Sequence, residues 1–98
     1  MADLDVVAVL TSKPGSEDVV GSALRDLVAP TRQEEGCVSY DLFESAAAPG
    51  TFVTMERWRA QADLDAHMQT DHVGAALAAA GDHLAEAPAI HPLVPTGA

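Results

Sequence analysis

The first third of the chain changes from the residue spacing of a strand to that of a helix. Residues 4–11 (LDVVAVLT) are apolar on both faces and rich in β-branched side chains, which is typical of a central strand covered on both sides. A break at residues 13–15 follows, and Ser16 is a favourable helix N-cap. The apolar positions of the predicted helix are Val20, Ala23, Leu24, Leu27, Val28 and Thr31.

The middle of the chain predicts two strands and then a broken helix. Residues 37–44 and 51–58 have the composition of strands, and the turn between them, rich in Ala, Pro and Gly, joins them as a hairpin. Residues 60–69 predict a short helix, and a cap at Thr70 or Asp71 starts another. The apolar stripe of this last helix consists of Val73, Ala76, Leu77, Ala80 and Leu84.

The last apolar segment, residues 88–95, contains Pro92, which has no N–H to donate and therefore belongs in an edge strand. The order β-α-β-β-α-β with right-handed crossovers places the first and third strands in the centre of an α+β sheet. The helices cover one sheet face. Because the chain has nothing left to cover the other, we expect a single domain, residues 1–98, that pairs with a second copy as a dimeric α+β barrel.

Composition narrows the classes of partner. The chain has 98 residues and a net charge of −10, and such an acidic surface disfavours both nucleic acid and anionic membranes. Nineteen residues are Ala and only four are aromatic, so the core is thin, which again favours a homodimer. Cys37 is the single cysteine, and with no signal peptide or membrane span in the sequence we expect a cytoplasmic protein.

Glu56 and Trp58 are the unusual residues of the third strand. Alternation places Phe52, Thr54, Glu56 and Trp58 on one face of that strand. A buried Glu56 needs either a partner, such as an Arg or backbone amides, or a raised pKa. Trp58 either closes the hydrophobic core or forms a flat wall for an aromatic ligand, with its indole N–H free to bind it.

His67 and His72 follow in the broken helix. Five residues apart in one continuous helix, they would point about 140° apart, so they can face one place only if the helix breaks between them. With no third His and no Cys nearby, we do not expect a metal site. Each is either a surface or cap residue or part of a site, and His67 is the better candidate for a base that acts on a phenol.

These residues in this order resemble the antibiotic biosynthesis monooxygenase family, which includes quinol monooxygenases. The resemblance lies in EEGCVSY at residues 34–40, Phe52, the Glu56-x-Trp58 pair, Leu64, His67 and His72. It implies a ferredoxin-like fold, a homodimer and a pocket between the sheet and the helices. It also implies oxygenation of electron-rich phenols or quinols to quinones by O2, with no metal, flavin or haem.

Three departures point to the quinol-monooxygenase-like members. The chain has no Asn, and Thr54 stands where anthrone oxidisers have that residue. His67 stands where haem degraders have a Trp, and Leu77 where they have the haem-binding His. Anthrone oxidation by the same residues and haem degradation are therefore not expected.

The resemblance implies a cofactor-independent monooxygenase that acts on a quinol or polycyclic phenol, with O2 as co-substrate. It implies catalytic roles for His67, Trp58 and His72, and substrate contacts from Tyr40, Phe52, Thr54, Glu56 and Leu64. The alternative is a non-catalytic dimeric binding module for a small aromatic metabolite, which needs the same pocket but no base.

Overall fold

A computed structural model describes residues 3–97, and it confirms the predicted order of strands and helices. A short 3-10 turn, Gly81–His83, precedes the last strand. The elements are β1 (Leu4–Thr11), α1 (Glu17–Arg32), β2 (Cys37–Glu44), β3 (Thr51–Trp58), α2 (Gln61–His67), α3 (Asp71–Ala80) and β4 (Ala89–Pro92). None of the helices within residues 3–97 is long and apolar enough to cross a membrane.

The sheet is antiparallel, with strand order β2-β3-β1-β4, so the first and third strands are central as predicted. The last strand lies at an edge and is only four residues long. Its final residue, Pro92, lies opposite Val6, where the missing N–H costs the sheet little. The fold is ferredoxin-like and α+β, as the resemblance implied.

The helices cover one sheet face and bury alternate residues of the two central strands. Val6, Ala8 and Leu10 of β1 are buried, as are the four same-face residues of β3 from Phe52 to Trp58. Helices α1 and α3 supply the other side of the core through Val20, Leu24, Leu27, Val73, Ala76 and Ala80.

The opposite sheet face is open within one chain. Val7 and Val9 of β1 are half-buried there, and Phe43 and Met55 are 50% and 53% exposed. The helices reach only one face of β1, and cover of the other face by a second copy stays a prediction.

The sequence predicted side-chain caps for α1 and α3, and the structure contains only the second. Ser16 directly precedes α1, but its side chain makes no cap; its hydroxyl instead lies 3.0 Å from His83 Nδ1. Thr70 caps α3 as predicted, since its Oγ1 accepts a hydrogen bond from the N–H of Val73. The same hydroxyl donates to the carbonyl of His67 at 2.7 Å, which ties the end of α2 to the start of α3.

Gly36 marks the closest approach of the α1–β2 loop to α2. A Cβ at this position would lie 2.1 Å from Cγ and 2.3 Å from Cβ of Asp63, so the helix backbone would have to move. We expect Gly36→Ala to lower the free energy of unfolding by about 1–3 kcal/mol, the usual cost of overpacking. Chemical denaturation followed by circular dichroism measures this.

Gly74→Ala is the matched control, because a Cβ at Gly74 in α3 would meet nothing within 4 Å. It should be neutral or stabilise the chain by up to about 1 kcal/mol through helix propensity. Equal effects of the two substitutions would contradict the tight packing of the loop against α2.

Candidate active site

A cavity lies between the helix-covered sheet face and the helices, and its walls are mainly apolar. Its cavity volume is about 80 Å³. Leu24 and Leu27 of α1 and Val73 and Ala76 of α3 are among its apolar lining residues. The polar side chains in the wall are those of Tyr40, Thr54, Glu56 and His67. A small number of polar groups in an apolar cavity is typical of a small-molecule site.

His67 ends α2 with its ring buried in the cavity wall. Its Nδ1 lies 2.6 Å from Oε2 of Glu34. Because an ionised carboxylate only accepts hydrogen bonds, this contact places the ring proton on Nδ1 and leaves the lone pair of the neutral imidazole on Nε2. No residue in the range 3–97 makes a hydrogen bond to Nε2, so this acceptor is free to bind a ligand in the cavity.

His72 lies in the first turn of α3, and its Nε2 is 2.7 Å from the same oxygen of Glu34. The predicted break at Thr70 thus allows two histidines five residues apart to converge, with ring centroids separated by 6.1 Å. They converge on Glu34, however, and His72 is not part of the cavity wall.

Glu56 is buried, and its carboxylate is bound by side chains of its own strand. The hydroxyl of Thr54 donates to Oε2 at 2.6 Å, and the indole N–H of Trp58 donates to Oε1 at 2.9 Å. The sequence suggested an Arg or backbone amides as partners, and the actual partners are the residues two positions away. Residues at i and i±2 of a strand lie on the same face, which makes this arrangement possible.

Tyr40 contributes the phenol of the cavity wall and is only 3% exposed. Burial raises the pKa of Tyr40 well above its ordinary value, and the nearby charge of Glu56 raises it further. Its hydroxyl therefore stays protonated at neutral pH. Among residues 3–97 nothing makes a hydrogen bond to that hydroxyl, which is therefore an available donor in the same cavity wall as His67, with the two ring centroids 5.8 Å apart.

Two residues expected to form the pocket lie outside its wall. Trp58 is fully buried, and its indole N–H is used by Glu56, so it is not free for a ligand. Its ring instead packs beside His67, with centroids 4.7 Å apart. Phe52 belongs to a separate core cluster with Val20 and other residues, also outside the cavity wall. Of the two alternatives for Trp58, the structure shows the one in which it closes the hydrophobic core, because alternation gives the face of a side chain but not its depth. A catalytic role for Trp58 and a substrate contact by Phe52 stay predictions.

Of the eight expected site residues, the cavity wall contains Tyr40, Thr54, Glu56, Leu64 and His67. The residue that the sequence did not single out is Glu34. It lies in the loop before β2, and β2 begins opposite the end of β3, where Cys37 pairs with Trp58. That register brings the loop beside α2, and it is the signal that could have identified Glu34.

Glu34, His67 and His72 also form a set of potential metal ligands. One ligand atom from each lies within 4.8 Å of the other two. No metal site was expected because the sequence has no third His close to His67 and His72 and no nearby Cys. The third donor is a carboxylate from a distant loop, a residue type too common for sequence spacing to identify.

Comparison with known proteins supports the family resemblance that the sequence shows. A profile of the family described as antibiotic biosynthesis monooxygenase matches residues 4–79. A Mycobacterium tuberculosis protein, Rv0793, provisionally named a monooxygenase, is 36% identical over 92% of this chain and 88% of its own. Escherichia coli YgiN, provisionally named a quinol monooxygenase, is 34% identical over 74% of this chain and 79% of its own.

Solved structures agree in fold over nearly the whole chain. The structure of Rv0793 superposes with a TM-score of 0.88 at 33% identity and covers 99% of this chain and 98% of that one. That of PA3566 from Pseudomonas aeruginosa gives a TM-score of 0.90 at 31% identity, with 99% and 97% covered. The chain therefore belongs to the antibiotic biosynthesis monooxygenase family.

Proposed function

We propose that the protein is a cofactor-independent monooxygenase that oxidises a quinol or polycyclic phenol to a quinone with O2. The observation that carries this proposal is the pairing of two unused polar groups in one apolar cavity. Nε2 of His67 is a free acceptor and the hydroxyl of Tyr40 is a free donor. A phenol needs both, since it must lose its proton and its oxygen must then be stabilised as an anion.

The substrate itself can supply the electrons that reduce O2. His67 accepts the phenolic proton at Nε2, and Tyr40 donates a hydrogen bond to the resulting phenolate oxygen. The phenolate passes one electron to O2, and the two radicals combine to form a C–O bond at a ring carbon that carries hydrogen, ortho or para to the phenolate oxygen. His67 then gives its proton to the peroxide. Loss of water from that hydroperoxide leaves a quinone, so one atom of O2 enters the product and the other becomes water.

The remaining site residues support this step. Glu34 fixes the tautomer of His67, and His72 contacts the same carboxylate oxygen of Glu34. Trp58 packs beside the His67 ring and binds Glu56, which keeps both in position. Leu64 and Thr54 contact the ring of the substrate, and Phe52 supports the sheet behind them. The apolar walls exclude water, which strengthens each hydrogen bond to the anion.

A second copy of the chain on the open sheet face is part of the proposal. The centre of that face is apolar, with Val7, Val9 and Met55, and Asp5 and Arg57 form an ion pair at one end. Another copy of the same face would cover the apolar centre and complete the barrel. Because the chain has a single cysteine and so no internal disulfide, we place the homodimer in the reducing cytoplasm.

His67→Gln tests the proposed base. Measured with chelator-treated protein and a panel of quinols, naphthols and anthrones, the rate of O2 consumption above autoxidation should fall by roughly 10²–10⁴-fold, the usual contribution of a general base. His83→Gln is the matched control, because His83 lies outside the cavity wall and should leave the rate unchanged.

An unchanged rate in the folded His67→Gln protein would exclude His67 as the base. Tight binding of a panel compound with no O2 uptake above autoxidation by the unaltered protein would instead favour the binding module.

Tyr40→Phe removes one hydroxyl and keeps the ring that fills the cavity wall. Because it deletes a donor to the phenolate, we expect kcat to fall by roughly 10²-fold with a smaller change in KM. Steady-state O2 electrode measurements give both constants. If only KM rises, the hydroxyl binds the substrate and does not stabilise the anion.

Met55→Glu places a charge in the centre of the open sheet face, where Met55 is 53% exposed. If a second copy covers this face, the substitution should shift the protein from dimer to monomer in analytical ultracentrifugation. Val19→Glu adds the same charge to α1, where Val19 is 41% exposed, and should leave the dimer intact. A dimer that survives Met55→Glu would place the interface elsewhere.

A further inference from the structure

We propose that Glu34, His67 and His72 form a binding site for one divalent transition-metal ion, with Zn2+ the best-matched ion. This inference goes beyond the proposed oxygenation, which uses no metal. A bound ion would inhibit that reaction, because it would bind Nδ1 of the same ring whose Nε2 is the proposed base.

The donor set matches the chemistry of such ions. Two imidazole nitrogens and one carboxylate oxygen bind Zn2+ and other first-row divalent ions, and three protein ligands leave positions open for water. Lys and Arg side chains do not compete for this carboxylate: Glu34 Oε2 has only the two histidine nitrogens as partners among residues 3–97. The charge of the cluster therefore favours a cation.

The three ligand atoms already lie close to one another. Nδ1 of His67 and Nε2 of His72 lie 2.6 and 2.7 Å from Oε2 of Glu34. Metal–ligand bonds of about 2.0–2.1 Å at tetrahedral or octahedral angles separate neighbouring ligand atoms by about 2.9–3.4 Å. The carboxylate oxygen would have to move a few tenths of an ångström away from each nitrogen. The two nitrogens, which lie within 4.8 Å of each other, would have to approach one another to reach the same separation.

The fold holds the ligands in place but leaves the cluster accessible. Glu34 comes from the loop before β2, His67 from the end of α2 and His72 from the first turn of α3. The Thr70 hydroxyl fixes the link between the two helices. The His67 side chain is 5% exposed, whereas those of Glu34 and His72 are 14% and 25% exposed, so an ion can enter from the outer side.

Metal binding would change which nitrogen of His67 carries the proton. The ion binds Nδ1 of His67 and Nε2 of His72. In the metal-free protein each of these nitrogens carries the ring proton, which the ion displaces. The neutral ring of His67 must then carry its proton on Nε2, which faces the cavity as a donor and no longer as an acceptor. The ring loses no proton overall, because it gives one up at Nδ1 and gains one at Nε2 from solvent or substrate.

The test is direct titration of the full chelator-treated chain with Zn2+, in competition with a chromophoric chelator. We expect one ion per chain. Glu34→Gln and His72→Gln should each weaken binding by roughly 100-fold or more, since even loss of a second-shell partner costs 10–100-fold. His83→Gln and His91→Gln remove histidines outside the cluster and should bind as the unaltered protein does.

A second readout is spectroscopic and does not depend on activity. Co2+ in place of Zn2+ should give d–d absorption bands in the visible range for the unaltered protein, and Glu34→Gln should lose them. Variants that keep their thermal unfolding transition but bind Zn2+ as the unaltered protein does would overturn the site, as would absence of binding at 100-fold excess Zn2+. The result stands whether or not the protein proves to be an oxygenase.

Discussion

The contact between Glu34 and two histidines is the interaction on which the candidate site depends. One carboxylate oxygen lies 2.6 Å from Nδ1 of His67 and 2.7 Å from Nε2 of His72. It joins the loop before β2 to both short helices, and it determines which nitrogen of His67 faces the cavity as an acceptor. Without it, the imidazole could turn or exchange tautomers, and the cavity would have no defined base.

The sequence predicted the fold well because the fold follows from local patterns. The order of elements with right-handed crossovers placed β1 and β3 in the centre of the sheet, and the position of Pro92 agreed with it. The cap at Thr70 likewise predicted the helix break that allows His67 and His72 to converge. These features depend on residues close in sequence, where spacing and stereochemistry suffice.

The site was only partly predictable because its important contacts are long-range. Glu34 lies 33 residues before His67, and only the pairing of β2 with β3 brings them together. Trp58 was correctly placed on the inner face of β3, but its N–H binds Glu56 and its ring lies outside the cavity wall. Sequence pattern gives the face of a residue, whereas depth and partner depend on how the helices pack over it.

The central claim is that this cavity carries out oxygenation with the substrate as the only electron source. The most direct measurement is mass spectrometry of the product formed by chelator-treated protein under 18O2, with an accepted phenol. The account predicts a quinone that carries one 18O atom, with the second atom recovered in water. A product without the label, formed together with hydrogen peroxide, or turnover that requires an added metal or flavin, would contradict it.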